Sequence, residues 1–236
     1  MVDDALISGV DISYTYPDGT RGFDRLTVHV GRGEKVALIG PNGCGKSTLM
    51  MVLAGLLRPD TGKVLIDGRD VYQNAEEMRK RIGFVFQDPD IFLFNASVED
   101  ELRYSLNQLD MSAEKMNDLV TRFSEIFELK DILDKPPFRL SGGEKKRVEI
   151  ASVLIYDPDI LFLDEPTANV DGKTRRKILE ILDSYRGTLV LSTHEIDIAE
   201  KVSDRVVIMN QEKRIIYSGD KEIIREKSFL EEIGVI

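Results

Sequence analysis

Residues 40–47 read Gly40-Pro41-Asn42-Gly43-Cys44-Gly45-Lys46-Ser47, a full match to the phosphate-binding pattern G-x-x-x-x-G-K-[ST]. The stretch follows an apolar run, Lys35-Val36-Ala37-Leu38-Ile39, and opens a helical one, Ser47 to Ala54. Backbone N–H groups at a helix N-terminus therefore converge on one point, where an anion belongs. Glycines at 40, 43 and 45 let the backbone wrap a phosphate without Cβ clashes. The Lys46 ammonium can reach the β- and γ-phosphates, and the Ser47 hydroxyl can ligate Mg²⁺. The nucleotide contacts expected from this stretch are Gly40, Asn42, Gly43, Cys44, Gly45, Lys46, Ser47 and Thr48. Cys44, beside Lys46 and a helix N-terminus, is expected to favour its thiolate and to be alkylated in competition with nucleotide.

With 236 residues, 42% of them hydrophobic, the chain can bury a sizeable core as one unit, with a modest insertion at most. Net charge is 32 minus 42, or −10, and the basic residues are scattered, which argues against a nucleic-acid surface. The one cluster, Lys145-Lys146-Arg147, reads as a solvated helix face. A single cysteine excludes an internal disulfide, and no apolar run approaches the roughly 20 residues of a spanning helix. The N-terminus does not read as a signal peptide, so the chain itself is expected to be cytosolic. Asn95-Ala96-Ser97 matches a glycosylation sequon only formally.

Strand-like pieces at Leu6 to Tyr16 and Gly22 to Val30, broken by the turn Pro17-Asp18-Gly19, predict an antiparallel sheet before the nucleotide loop. From about Asp88 to Tyr156 the pattern is helical, including Ala113 to Leu129, with no convincing central strand. Apolar runs return at Ile160 to Leu163, Thr188 to Leu191 and Arg205 to Met209, as suits a parallel sheet covered on both faces.

Asp164 and Glu165 end one such run, at the carboxyl edge where parallel sheets place ligands. Asp164 fits an acid that holds Mg²⁺ through water, and Glu165 one that polarises the water attacking a γ-phosphate. Gln87, after Ile82 to Phe86, can ligate Mg²⁺ or orient water through its amide oxygen. His194 follows Thr188 to Leu191 at the same edge and can contact the γ-phosphate, whereas His29 reads as structural. Ser141-Gly142-Gly143-Glu144 has capping-box spacing before the helix Lys145 to Leu154. Two glycines beside a helix start also expose N–H groups, so cap and second phosphate site stay open together.

These stretches together resemble the ATP-binding subunit of ABC transporters, in the order of that family's motifs. Gly40 to Ser47 is similar to Walker A, Gln87 to the Q-loop and Leu140 to Glu144 to the ABC signature. Ile160 to Glu165 is similar to Walker B, Ala168 to Asp171 to the D-loop, and His194 to the switch histidine. The resemblance implies an α/β fold, with a P-loop NTPase core of mostly parallel sheet (1–87 and 157–236), an N-terminal antiparallel β subdomain and an inserted helical signature subdomain (88–156). It implies ATP and Mg²⁺ as cofactors, with Ser47, Gln87 and Asp164 toward the metal and Lys46, Gln87, Glu165 and His194 in catalysis. It also implies a head-to-tail dimer, homomeric or with a related subunit, in which Ser141, Gly142 and Gly143 meet the partner's γ-phosphate. Tyr16 matches the family's adenine-stacking aromatic, though Tyr14 shares its strand face.

Phe86 to Asp90, Leu93-Phe94 and Ser141 to Ala151 look most like the energy-coupling group that drives cobalt, nickel or vitamin uptake. Ile91-Phe92 departs from the Asp-Gln common there, and the chain closes soon after Arg205 to Met209. Glu144 for Gln and Gly172 for the frequent Pro are milder variations. The expected function is the ATPase subunit of an importer at the cytoplasmic membrane face, working through separate integral membrane subunits. A soluble ABC ATPase of translation or DNA maintenance is the alternative. Asp90 to Phe94 either joins the family groove that accepts a helix of the membrane partner or is buried under the helical insertion.

Overall fold

The computed structural model describes residues 5–109 and 111–232. Strands β1 (Ala5–Thr15) and β2 (Arg21–Gly31) pair antiparallel across the expected turn. Then come β3 (Lys35–Ile39), α1 (Lys46–Leu53), β4 (Thr61–Ile66), β5 (Arg69–Asp70), α2 (Ala75–Arg81) and β6 (Ile82–Val85). Helices α3 (Val98–Leu106), α4 (Ala113–Ile126) and α5 (Gly142–Leu154) follow without an intervening strand among the described residues. The chain continues with β7 (Ile160–Asp164), α6 (Gly172–Ser184), β8 (Thr188–Ser192), α7 (Ile196–Val202), β9 (Arg205–Met209), β10 (Ile215–Asp220) and α8 (Lys227–Glu232).

One sheet is antiparallel, in the order β2-β1-β4-β5. The other runs β10-β9-β3-β8-β7-β6, parallel except where β10 pairs with β9. Every residue of β7 and β8 is buried, which is why these strands read as unbroken apolar runs rather than alternating ones. Successive side chains still face opposite ways. Ala37, Ile39, Leu161 and Leu163 enter a core shared with α3, α5, α6 and α7. Val36, Leu38, Ile160 and Phe162 enter a second core shared with α1, β1 and β2. The sheet is thus clamped between two apolar layers, and the carboxyl ends of β3, β7 and β8 open beside the start of α1.

Five elements lie outside the sequence reading: β4, β5, α2, β10 and α8. β10 with the short α8 also corrects the expectation that Arg205 to Met209 is the last strand. The helix expected to run to Leu129 stops at Ile126. Glu128 turns left-handed at φ 54°, and Leu129 N–H returns to Ser124 O at 2.7 Å while Glu128 N–H reaches Glu125 O at 3.2 Å. That is a Schellman stop, built here on glutamate instead of glycine.

Candidate nucleotide site

The loop between β3 and α1 is shaped by close backbone approaches. A Cβ at Gly40 would lie 2.3 Å from Met209 O and 2.8 Å from Cys44 Sγ, and one at Gly45 would lie 2.9 Å from Gly22 O with φ at 99°. Only glycine fits either position. The loop's outer face, with Asn42, Gly43, Gly45, Lys46, Ser47 and Thr48, lines a cavity of about 440 Å³. Tyr16, Gln87, Asp164 and Glu165 reach the same cavity, which falls in the size range of small-ligand pockets. Gly40 and Cys44 instead lie buried beneath the loop.

Lys46 is 6% exposed, and its ammonium donates to Gly40 O at 2.8 Å and Pro41 O at 3.1 Å. Tyr16 is tied through its hydroxyl to Thr48 Oγ1 at 2.8 Å. Tyr14 turns into the apolar core and meets the Tyr16 ring edge-on at 5.0 Å between centroids. Of the two tyrosines, only Tyr16 lines the cavity.

Asp164 and Glu165 are both nearly buried. The Ser192 hydroxyl at the end of β8 donates to Asp164 Oδ1, and it accepts the Glu165 N–H at 3.1 Å. Glu165 takes a left-handed backbone, φ 46°, at the first step beyond β7. Its Oε2 meets His194 Nδ1 at 2.9 Å. His194 therefore approaches the cavity through Glu165 rather than by lining it.

Ser141 begins α5 with a complete capping box: Glu144 N–H reaches Ser141 Oγ at 3.4 Å, and Ser141 N–H reaches Glu144 Oε2 at 2.8 Å. Gly143 has a packing reason, because a Cβ there would stand 3.0 Å from Asp171 Oδ2 and 3.2 Å from Thr174 Oγ1. Asp171 caps α6, accepting from Lys173 and Thr174 N–H at 2.9 Å each. Gly142 faces more open space, with only Asn169 O at 3.9 Å. Within the described chain, Ser141, Gly142 and Gly143 do not line the cavity that holds Lys46.

Two residues differ from their sequence reading. Burial pushes the Cys44 thiol above its ordinary pKa, outweighing the nearby Lys46 charge, so the expected thiolate is corrected to a buried, protonated thiol. Lys146 is not on a solvated face. Its side chain is 1% exposed and pairs with fully buried Glu149 at 2.9 Å. Lys213, from the turn between β9 and β10, lines the cavity as a second cation beside Lys46, its ammonium bonded to Arg21 O. Lys213 has φ 61°, and no sequence pattern marked it.

With this geometry in hand, the comparisons with known proteins are specific. The family model "ABC transporter" matches residues 23–168. A "putative ABC transporter ATP-binding protein" of Archaeoglobus fulgidus is 54% identical over 232 residues, covering 98% of both chains. The "energy-coupling factor transporter ATP-binding protein EcfA2" of Methanospirillum hungatei is 40% identical over 93% of this chain, which spans 58% of that relative's length. Among solved structures, cbiO1 of Clostridium perfringens, described as part of the ABC transporter complex cbiONQ, superposes with a TM-score of 0.80 at 33% identity, covering 98% of this chain and 95% of that one. A P-loop cavity with an acid pair at its rim, a capped Ser-Gly-Gly helix and these matches agree: the chain belongs to the ABC transporter family, as an ATP-binding subunit with ATPase activity.

Proposed function

We propose that the chain energises an importer of the energy-coupling group, taking up cobalt, nickel or a vitamin through separate integral membrane subunits at the cytoplasmic face of the membrane. The observation that carries this reading is an apolar groove beside Gln87, lined by Leu56, Phe86, Phe92, Tyr104, Leu109 and Tyr156. Ile91 and Phe94 stand 68% and 66% exposed next to it. Exposed apolar surface of this kind marks a protein contact, and among the described residues no helix is long and apolar enough to cross a membrane. The groove would take a short helix of a membrane subunit, with the helical residues 88–156 moving as a signature subdomain. The named kinship to an energy-coupling ATPase and to a part of cbiONQ supports the same direction.

In the reaction, Tyr16 stacks on adenine, its ring held by the Thr48 bond. Lys46 exchanges the Gly40 and Pro41 carbonyls for β- and γ-phosphate oxygens, and the N–H groups from Gly43 to Thr48 complete the cradle. Ser47, Asp164 and Gln87 reach one cavity and offer the hard oxygen donors Mg²⁺ prefers. Mg²⁺ bound there would draw charge from the β- and γ-phosphates. Glu165 polarises the attacking water, and His194 orients Glu165 and the γ-phosphate. A second subunit, the same chain or a related one, supplies Ser141 and the Gly142 and Gly143 N–H groups to that phosphate, head to tail.

Purification of the tagged chain from detergent-solubilised membranes of its own host tests the assignment. A co-purifying integral membrane protein, lost on Phe92→Asp, is the expected result. Retention of ribosomes or DNA instead would overturn it. Loss of labelled cobalt, nickel or vitamin uptake in cells carrying Glu165→Gln then names the cargo.

A further inference from the structure

Lys146 and Glu149 sit one turn apart on α5, with side chains 1% and 0% exposed, and every polar atom of the pair is used. The Lys146 ammonium donates to Glu149 Oε2 at 2.9 Å, to Phe86 O at 2.5 Å and to Gln87 O at 3.1 Å. Glu149 Oε1 accepts the Phe86 N–H at 2.7 Å. An ammonium has three donors, so none is left over. The backbone of Phe86 and Gln87, just past the end of β6, is thus gripped from α5 by three bonds, two to carbonyls and one from an N–H. The Gln87 residue remains exposed and lines the nucleotide cavity, and the gripping helix is capped by Ser141, little more than a turn before Lys146.

Burying two charges is costly, and an apolar pair of like volume often replaces a buried ion pair without loss. The carbonyl bonds give the pair a directional task that an apolar pair cannot perform.

We propose that Lys146 and Glu149 are positioning residues for ATP hydrolysis: they lock the backbone of Gln87 to the signature helix, so that Gln87 and Ser141 move as one body. This rests on the reading of Gln87 as a residue that serves the metal or the attacking water. When α5 shifts toward a partner's nucleotide, Gln87 is carried with it, and the signature's position reaches the chain's own cavity through two buried side chains.

The test compares Lys146→Met/Glu149→Leu with Gln87→Ala in the full-length chain. The double variant leaves the Phe86 N–H and the Phe86 and Gln87 carbonyls without their side-chain partners, so it is expected to melt below the wild type yet stay folded at the assay temperature, and to bind ATP in EDTA within twofold of wild type. Its kcat is expected to fall at least tenfold, with a raised Mg²⁺ requirement, and adding Gln87→Ala should lower kcat less than twofold further. A folded double variant with wild-type kcat, beside an impaired Gln87→Ala, overturns the coupling while leaving the Gln87 reading intact. Full kcat in Gln87→Ala overturns both. Should the double variant fail to fold, Glu149→Gln keeps an acceptor for Phe86 N–H but loses the charge partner of Lys146. It is expected to lose kcat several-fold at unchanged ATP affinity, and wild-type kcat in that folded variant overturns the proposal equally.

Discussion

His194 Nδ1 lies 2.9 Å from Glu165 Oε2, joining a half-exposed imidazole on the loop after β8 to an almost buried carboxylate beyond β7. The main chain that carries it is held as well, since the Glu165 backbone N–H is bonded to Ser192 Oγ and Ser192 O at 3.1 and 3.2 Å. A base fixed on two sides should be replaceable in shape but not in chemistry. Glu165→Gln is expected to bind ATP normally and to lose about 10²- to 10⁴-fold in kcat, read by phosphate release alongside a binding titration. Hydrolysis above a tenth of the wild-type rate would remove Glu165 from the role of base.

Because Ser141 does not line the cavity that holds Lys46, the composite site proposed above requires a second chain. Glu165→Gln should shift from monomer to dimer in size-exclusion chromatography on adding Mg-ATP, and Ser141→Arg in the same background should abolish the shift. If the elution volume ignores ATP in the first variant, an obligate different partner replaces the homodimer.

Lys46→Ala removes the ammonium that bridges the two rims of the phosphate loop. ATP at 100 times Kd stabilises a folded protein by about 2.7 kcal/mol. That gain, seen as a rise in melting temperature, is expected to be largely lost in the variant. A full thermal shift would show that the loop does not hold the nucleotide through this side chain.

Cys44 is fully buried, with its pKa pushed up by burial. Iodoacetamide is therefore expected to leave the folded chain unmodified over the time in which it labels the urea-unfolded chain completely, with or without ATP. Rapid alkylation of the native protein, read by mass spectrometry, would restore the thiolate expected from the sequence.

Hydrogen bonds from the Ser141 hydroxyl and then the Ser141 N–H hold the Glu144 carboxyl below its ordinary pKa. A depressed carboxyl contributes stability that is complete above the unfolded value of about 4.3 and is lost as pH falls through the lower folded value. Melting curves from pH 6 to pH 3 should show this loss in the wild type. Glu144→Gln should lack that component of the acid slope while keeping the helix start, since the amide oxygen can still accept from Ser141 N–H. An identical slope in both proteins would mean the cap does not titrate.

What was legible in the sequence followed its strongest periodicities. β3, β7, β8 and β9 carry polar residues only at their ends and are apolar between because both faces are covered, and the loop glycines announce a backbone that leaves no room for Cβ. β4 was hidden because its first half is polar and exposed, and Gly62 within it looks like a turn. There a Cβ would lie 2.4 Å from the carbonyls of Val10 and Asp11 in the neighbouring β1. β10 alternates half-buried and exposed residues on a sheet edge, too weak a pattern to separate from a turn. The cavity was legible as Gly40 to Thr48 with Asp164 and Glu165, but Lys213 was not, because only tertiary packing brings its turn to the loop. Lys146 misled for a similar reason: a lysine three residues before a glutamate is a common surface pair, and nothing local reveals that the peptide of Phe86 and Gln87 closes over it.

The left-handed backbone of Glu165 sets stability and turnover against each other at a single residue. A non-glycine residue in that conformation costs ~1–2 kcal/mol, and strain of this kind is relieved by glycine or asparagine rather than by glutamate. Selection of this chain for heat tolerance alone would therefore favour replacing Glu165, the proposed base, and directed evolution of a more robust ATPase must score hydrolysis at every round or it will drift toward a sturdier, inert protein.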